Sequence, residues 1–408
     1  MSLVATFLDP YVTDWLNLLL RWLHVIAAIA WIGASFYFVL LDQSLESPKD
    51  ADDVRDGVGG ELWEVHGGGF YHVKKYKVAP PTLPEHLAWF KWEAYTTWLS
   101  GFALMVVLYY FNASAYLIDP SVADLSAWEA VGISIGLLVA AWVAYDVLCR
   151  LLVGRGRNGA IALWVLILLL TTLAAWGCGR LFQPRAAFLQ VGAMLGTIMA
   201  GNVFFNIIPA HWELINAKKA GRDPDPTPGL VAKQRSVHNN YFTLPVLFTM
   251  LAGHFAFAYG SGRAWLVLIV IMLLGVLSRV FFNMRHQGRT IWALPALALV
   301  VVVALAWAIK PNDTAGSAGT APVAFSRVAA VIAQRCAPCH AQVPTEPGFS
   351  SPPAGVVLQT PQQIAARASD IRTLVATKAM PLGNLTGMTS EERALVVAWV
   401  TQGASTGK

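Results

Sequence analysis

The chain has 408 residues, of which 56% are hydrophobic and only 13% charged, and it holds 16 tryptophans. A soluble domain has about a quarter of its residues charged, so this composition excludes an ordinary water-soluble protein and points to one solvated largely by lipid. The formal net charge of +5 sits in short connections between apolar runs, the pattern of membrane topology rather than of nucleic-acid binding.

A membrane-crossing helix needs about 20 mostly apolar residues. Eight runs meet that need, near residues 14–41, 87–112, 127–149, 158–181, 186–210, 238–259, 263–285 and 290–309. Lys and Arg crowd the connections after the odd-numbered runs, among them Lys74, Lys75, Arg155, Arg157, Lys218 and Lys219. The opposite connections hold only Arg180, Arg185 and Arg263. The asymmetry puts the first set in the cytoplasm, and the N-terminus with everything after Lys310 outside. The first residues lack a basic stretch and carry Asp9 and Asp14, so no cleavable signal is expected and the first helix inserts directly.

The long cytoplasmic loop, residues 43–86, contains Trp63, His66, Gly67-Gly68-Gly69, Tyr71 and His72. It reads as a lid hinged at its glycines, or as an amphipathic segment lying on the membrane surface. The stretch Asp223 to Pro228 reads as a stiff connector.

Ionisable and amide groups inside a membrane are costly and by default mark function. His24 and His254 fall in the outer half of their helices, where two imidazoles could ligate a b-type haem or simply hydrogen-bond between helices. Glu93, Asn202, Asn206, Arg279 and Asn283 fall in the cytoplasmic half. Arg279 suits bidentate recognition of a planar anion, or pairing with a carboxylate such as Glu93 or Asp146.

Residues 311–322 are small and polar, the composition of a flexible linker, and divide a domain spanning residues 1–310 from one spanning 323–408. In the second, Cys336-Ala337-Pro338-Cys339-His340 has the form of a c-type haem attachment site: two thiols to add across the vinyl groups and an imidazole to fall under the iron. A disulfide or half a zinc site is the alternative. Met380, before a proline, is the expected second axial ligand, with Met388 its competitor. A helix is expected over Phe325 to Gln334, and Thr389-Ser390-Glu391-Glu392 is a capping box opening the last helix. The fold class expected is all-α, an eight-helix transmembrane bundle followed by a small cytochrome c domain of the class I type. An outside location for that domain agrees with the attachment of c-type haem on the periplasmic side of a bacterial inner membrane.

The stretches Arg21 to Val25 with Trp31-Ile32-Gly33, Glu61 to His72, Pro84 to Leu87 with Phe90 to Tyr95, and Met380 to Asn384 together resemble the bacterial membrane-bound urate oxidases, or urate hydroxylases, with a C-terminal cytochrome c domain. The resemblance covers both parts of the chain. It implies oxidation of urate to 5-hydroxyisourate in purine catabolism, with electrons passing to the chain's own haem c and on to a soluble cytochrome c or terminal oxidase, without hydrogen peroxide. Arg279, Glu93 and His66 are then the candidates for the urate site. Without that resemblance the residues alone support only a membrane-anchored cytochrome c, an electron-transfer subunit with no small-molecule site.

Overall fold

The computed structural model describes residues 9–310 and 322–407. The expected linker, apart from Pro322, lies outside the described residues. Long helices dominate: α1 (Pro10–Ser44), α3 (Trp92–Leu104), α5 (Ala127–Leu152), α6 (Gly156–Leu181), α7 (Pro184–Asn202), α9 (Pro226–Ala252), α11 (Ala264–His286) and α12 (Ala293–Ala308). Short helices α2 (Ala51–Arg55), α4 (Ala113–Tyr116), α8 (Ile208–Lys219) and α10 (Ala256–Tyr259) lie among them. Among the described residues, five helical stretches are long and apolar enough to cross a membrane: Tyr11–Ser44, Ala127–Leu152, Gly156–Leu181, Pro184–Lys219 and Ala264–His286. The other three expected runs are helical as well, although α12 spans only 16 residues.

Helix α7 is the centre of the bundle. Ala186, Phe188, Val191, Met194, Leu195 and Ile198 are all buried, and small residues let its neighbours approach closely. A Cβ on Gly192 would fall 1.9 Å from Thr249 Oγ1, and one on Gly201 would fall 2.1 Å from Trp142 Nε1. Small residues at helix contacts are how helices pack where lipid removes the hydrophobic drive between them. The outward faces of α5, α6 and α12 instead expose Val143, Val147, Leu169, Leu173, Val300 and Val303. Apolar side chains therefore lie on the outer faces as well as in the core, as expected of a bundle solvated by lipid.

Helix α9 begins at Pro226, behind an Asp225 side-chain cap, rather than near residue 238. Its first half is polar because that half faces inward, with Arg235, His238, Asn239 and Asn240 all buried. The stiff connector expected over residues 223–228 therefore ends at the cap.

Residues 43–86 depart from the all-α expectation. Strands β1 (Val58–His66) and β2 (Gly69–Tyr76) pair antiparallel, with Trp63 opposite His72 and His66 opposite Gly69. Gly67 and Gly68 form the two-residue turn at φ 58° and 84°, the doubly left-handed backbone that fits the twist of a hairpin and suits glycine. The glycines thus make a turn, not a hinge. The hairpin is fastened to α1 through Tyr37 Oη, which donates to Glu64 Oε2 at 2.7 Å, and through Lys75, which pairs with Asp42, while Lys74 and Asp53 tie it to α2 at 2.7 Å.

Helices α13 (Phe325–Arg335), α14 (Ala337–His340), α15 (Pro361–Ala366), α16 (Ala368–Ala376) and α17 (Ser390–Thr401) build a second unit. It has its own core of Val328, Ile332, Ile371, Val375, Val396 and Trp399. The capping box at Thr389 and Glu392 forms, opening α17. This unit rests on the end of the bundle that carries α4 and α10. Gly383, at φ 54°, sits so close that a Cβ there would fall 2.7 Å from the Ser114 carbonyl oxygen and 3.0 Å from those of Ala115 and Ile118. The connections rich in Lys and Arg lie at the opposite end of the bundle.

Candidate functional site

At that opposite end the inward faces of α5, α7, α9 and α11 converge on a buried polar cluster. A π-helical stretch, Val203–Ile207, follows α7 directly and lets both Asn202 and Asn206 reach α5. Such widened turns recur at functional sites. Asp146 accepts from Arg235 Nη2 at 2.8 Å, from Arg150 Nε at 2.6 Å and from Asn206 Nδ2 at 3.4 Å. Tyr145 Oη lies 2.7 Å from His238 Nδ1, and Asn202 Nδ2 donates both to Tyr145 Oη and to Asn239 Oδ1. The edge of Trp164 packs against His238 at 4.8 Å between centroids.

Arg279 stands apart from this pairing. Its Nε donates to Asn240 Oδ1 at 2.9 Å and its Nη2 to Asn283 Oδ1 at 3.2 Å, while the Phe36 ring lies 3.9 Å from its Cζ. It is 4% exposed and pairs with no carboxylate among the described residues. Asp146 is committed to Arg235 and Arg150, so the alternative pairing with Asp146 is not made, nor is one with Glu93. A guanidinium taken out of water without an anion is costly, and amide oxygens and a ring face offset only part of that cost.

Several buried polar atoms in this half have no hydrogen-bond partner among the described residues. Arg235 Nε and Nη1 are unused donors, while Asn202 Oδ1, Gln234 Oε1 and Glu93 Oε2 are unused acceptors. Buried polar groups are nearly always satisfied, so unpaired donors and acceptors together call for an explanation. A planar anion bearing both carbonyl and N–H groups is complementary to such a set.

Of the residues singled out from the sequence, Arg279, Asn202, Asn206 and Asn283 meet in or beside this cluster, and Glu93 is half-buried at the start of α3. His66 is not brought to it; it is exposed at the end of β1, beside the Gly67-Gly68 turn. Arg235, which precedes the apolar run expected from residue 238, is the addition. Its signal was the helical spacing of Arg235, His238, Asn239 and Phe242, polar on one face.

His24 lines an apolar cavity higher in the bundle, toward the C-terminal unit, together with Trp98, Gly101, Phe102, Gly196 and Met250. His254 does not line it; it follows the end of α9 and is exposed.

In the C-terminal unit Cys336 closes α13 and Cys339 follows on the next turn, its N–H donating to the Cys336 carbonyl oxygen at 3.2 Å. Both thiols are free. Burial pushes Cys336 up to about 12 and Cys339 to about 11, so each keeps its proton at neutral pH. His340 Nδ1 lies 2.9 Å from the Val356 carbonyl oxygen. Since a carbonyl only accepts, Nδ1 carries the proton and Nε2 keeps its lone pair, the orientation that ligating histidines adopt. Arg335 holds the motif in place with a bidentate grip on Glu392, at 3.0 and 3.0 Å. Met380 is half-buried, its carbonyl held by Arg393 Nη1 at 2.6 Å, whereas Met388 is 3% exposed inside the second core. The donor set of Cys336, Cys339, His340 and Met380 fits a covalently attached haem.

No curated protein and no solved structure matches the chain. A family profile described as urate oxidase N-terminal matches residues 10–310, which include the whole polar cluster. That span is most of the chain, which therefore belongs to the urate oxidase N-terminal family.

Proposed function

We propose that the chain is a membrane-bound oxidoreductase of purine catabolism that oxidises urate to 5-hydroxyisourate, binding the purine at the Arg279 end of the bundle. The observation that carries this reading is a buried guanidinium with no carboxylate partner among the described residues, in a bundle that also buries unused donors and acceptors, in a chain of a urate-related family. Five apolar helices support residence in the bilayer, and α3, α9 and α12 complete eight crossings. By the distribution of Lys and Arg, the Arg279 end faces the cytoplasm of a bacterial inner membrane, and the C-terminal unit faces the periplasm.

Urate and water give 5-hydroxyisourate, two protons and two electrons. Arg279, its Nε and Nη2 held by Asn240 and Asn283, offers its Nη1 donors and its charge to the purine anion. Phe36 backs that guanidinium. The unused donors of Arg235 meet carbonyl oxygens of the ring, and Asn202 Oδ1 and Gln234 Oε1 receive its N–H groups. Glu93, with one carboxylate oxygen unpartnered, is placed to accept a proton as water adds. Cys336, Cys339, His340 and Met380 would hold a haem c, which would supply a one-electron acceptor used twice per urate, so that the reaction would need no oxygen and release no hydrogen peroxide. A soluble cytochrome c or a terminal oxidase takes the electrons onward.

Anaerobic addition of urate to the oxidised full-length protein tests this. Urate absorbance should fall as the haem bands turn to their reduced form. Reduction by a quinol but not by urate would sink the reading and leave a membrane-anchored electron-transfer subunit.

A further inference from the structure

The hairpin of β1 and β2 takes no part in the proposed chemistry, and its direction decides where its side chains go. Ser44 Oγ donates to the His286 carbonyl oxygen at 3.4 Å, so α1 and α11 end at one level. From there the hairpin turns back along α1 instead of running out into the cytoplasm. Glu61 bridges to Glu46 just past the helix, Lys75 pairs with Asp42, and Glu64 accepts from Tyr37. Between Ser44 and Tyr37 the helix rises roughly 10 Å at 1.5 Å per residue. The Val65–Phe70 rung and the turn lie beyond Glu64, so the tip is aimed from the basic end of the bundle toward its middle.

We propose that this tip is an interfacial anchor, with Trp63, Val65 and Phe70 seated among bilayer lipids at the cytoplasmic boundary between headgroups and acyl chains. Three observations converge on it. First, the two faces of the hairpin differ. Glu64 and Tyr71 share the face turned to α1, whereas Trp63, Val65, Phe70 and His72 share the other. On that outer face Trp63 stacks on His72 at 4.2 Å between centroids, yet Trp63 is 63% exposed, Val65 70% and Phe70 78%. Second, polarity is graded along its length. Lys74, Lys75 and the following Lys77 stand at the base, and no Lys, Arg, Asp or Glu occurs from Val65 to Tyr71. That gradient follows the one met on passing from water into lipid.

Third, the tip continues a belt of exposed rings at the same end of the bundle. Phe38, next to Tyr37, meets the edge of Phe90 at 4.9 Å, and Phe90, Trp92, Trp212 and Trp292 are all exposed. Aromatic side chains gather at the level where lipid meets water. The depth is limited by the backbone: the Gly67-Gly68 turn and both strand edges carry N–H and C=O groups that hydrocarbon would leave unsatisfied and that the headgroup layer keeps hydrated. Glu64, the carboxylate nearest the tip, is met by the Tyr37 hydroxyl. An isolated two-stranded hairpin is marginal in water, and lipid on its apolar face supplies the cover that a third strand or a helix gives elsewhere. The inference rests on the residence in a bilayer proposed above.

Nitroxide labels on Val65→Cys and Phe70→Cys of the full chain in phospholipid vesicles test this, by comparing collision with oxygen, which concentrates in lipid, against collision with a water-soluble nickel chelate. The unsubstituted protein, whose Cys149 and Cys178 are buried, is the labelling blank. Two sites calibrate the scale: Val300→Cys on the outward face of α12 for lipid, and Asp52→Cys on α2 for water. The oxygen-to-nickel ratio at residues 65 and 70 should stand several-fold above that at residue 52 and approach that at residue 300. A ratio like that of residue 52 would overturn the inference, as would exclusion of both reagents, the mark of a protein partner such as a second copy. A water-like ratio at residue 300 would instead sink the bilayer reading itself, so the two failures are distinguishable. Lipids brominated near the headgroup give a measurement without introduced cysteines: they should quench the emission of Trp63, taken as the difference between the unsubstituted protein and Trp63→Phe, and an unquenched difference would equally overturn the anchor.

Discussion

Replacing Arg279 by Gln separates a binding role from a structural one, because the structure gives two buried guanidiniums with different partners. Arg235 is 1% exposed and paired with Asp146, itself 9% exposed; removing one partner of such a pair strands the other charge and costs about 3–5 kcal/mol of stability. Arg279 strands no charge. Its loss leaves only the amide oxygens of Asn240 and Asn283 short of donors, and it relieves the cost of holding an uncompensated cation. The fold should therefore change little on Arg279→Gln. Urate binding should not be spared: truncating one side of a buried, hydrogen-bonded charge pair costs on the order of 2–5 kcal/mol. At about 1.4 kcal/mol per tenfold, that is roughly a 30-fold to few-thousand-fold rise in Kd. Arg279→Lys keeps the charge without the fork and should fall between. The assay is equilibrium binding of urate to oxidised protein in lipid nanodiscs under anaerobic conditions, with thermal unfolding run beside it. Urate affinity unchanged in Arg279→Gln, with a loss of stability like that of Arg235→Gln, would refute the assignment and make Arg279 scaffolding.

Met380→Ala should lower the redox potential of the C-terminal centre in a potentiometric titration while leaving urate affinity intact; an unchanged potential would move the ligand role to Met388. Met388→Ala, by contrast, truncates a side chain inside the second core and should cost about 2–5 kcal/mol in unfolding measurements. Gly383→Ala adds a Cβ at positive φ against three backbone carbonyl oxygens, so hydrogen exchange should rise at residues 113–119 as the C-terminal unit lifts; no change there would mean that the contact is not needed for docking. Burial raises the Glu392 carboxyl, but the Arg335 hydrogen bonds outweigh it and hold the group below its ordinary 4.5. Its contribution to stability is thus complete above that pH and lost as the pH falls through the depressed value. Acid unfolding of the C-terminal unit, followed by its amide exchange, should be less steep in Glu392→Gln.

The helices that are apolar along most of their length were legible from hydropathy alone, as with α5, α6 and α11. The start of α9 was not, because a helix that turns Arg235, His238, Asn239 and Asn240 inward reads along the chain as a polar connection. Arg279 was visible as a lone charge in an apolar run, but which carboxylate lay near it is a tertiary fact. That His24 lines the cavity and His254 does not is hidden for the same reason: depth along two helices is readable, whereas the face each presents depends on packing. The hairpin's turn was written as Gly67-Gly68 between alternating residues. A single isolated pair of strands in a helical chain gives that pattern little to stand on.

The seat of Gly383 on the carbonyls of residues 114–118 has a kinetic consequence. A carrier that must diffuse to its donor shows rates that scale with concentration and fall with ionic strength. One already docked by its own backbone is a neighbour at fixed distance, so whatever passes between bundle and C-terminal unit proceeds in first order, indifferent to dilution and to added salt. On the function proposed above, only the onward step, to a separate molecule, would carry the signature of collision.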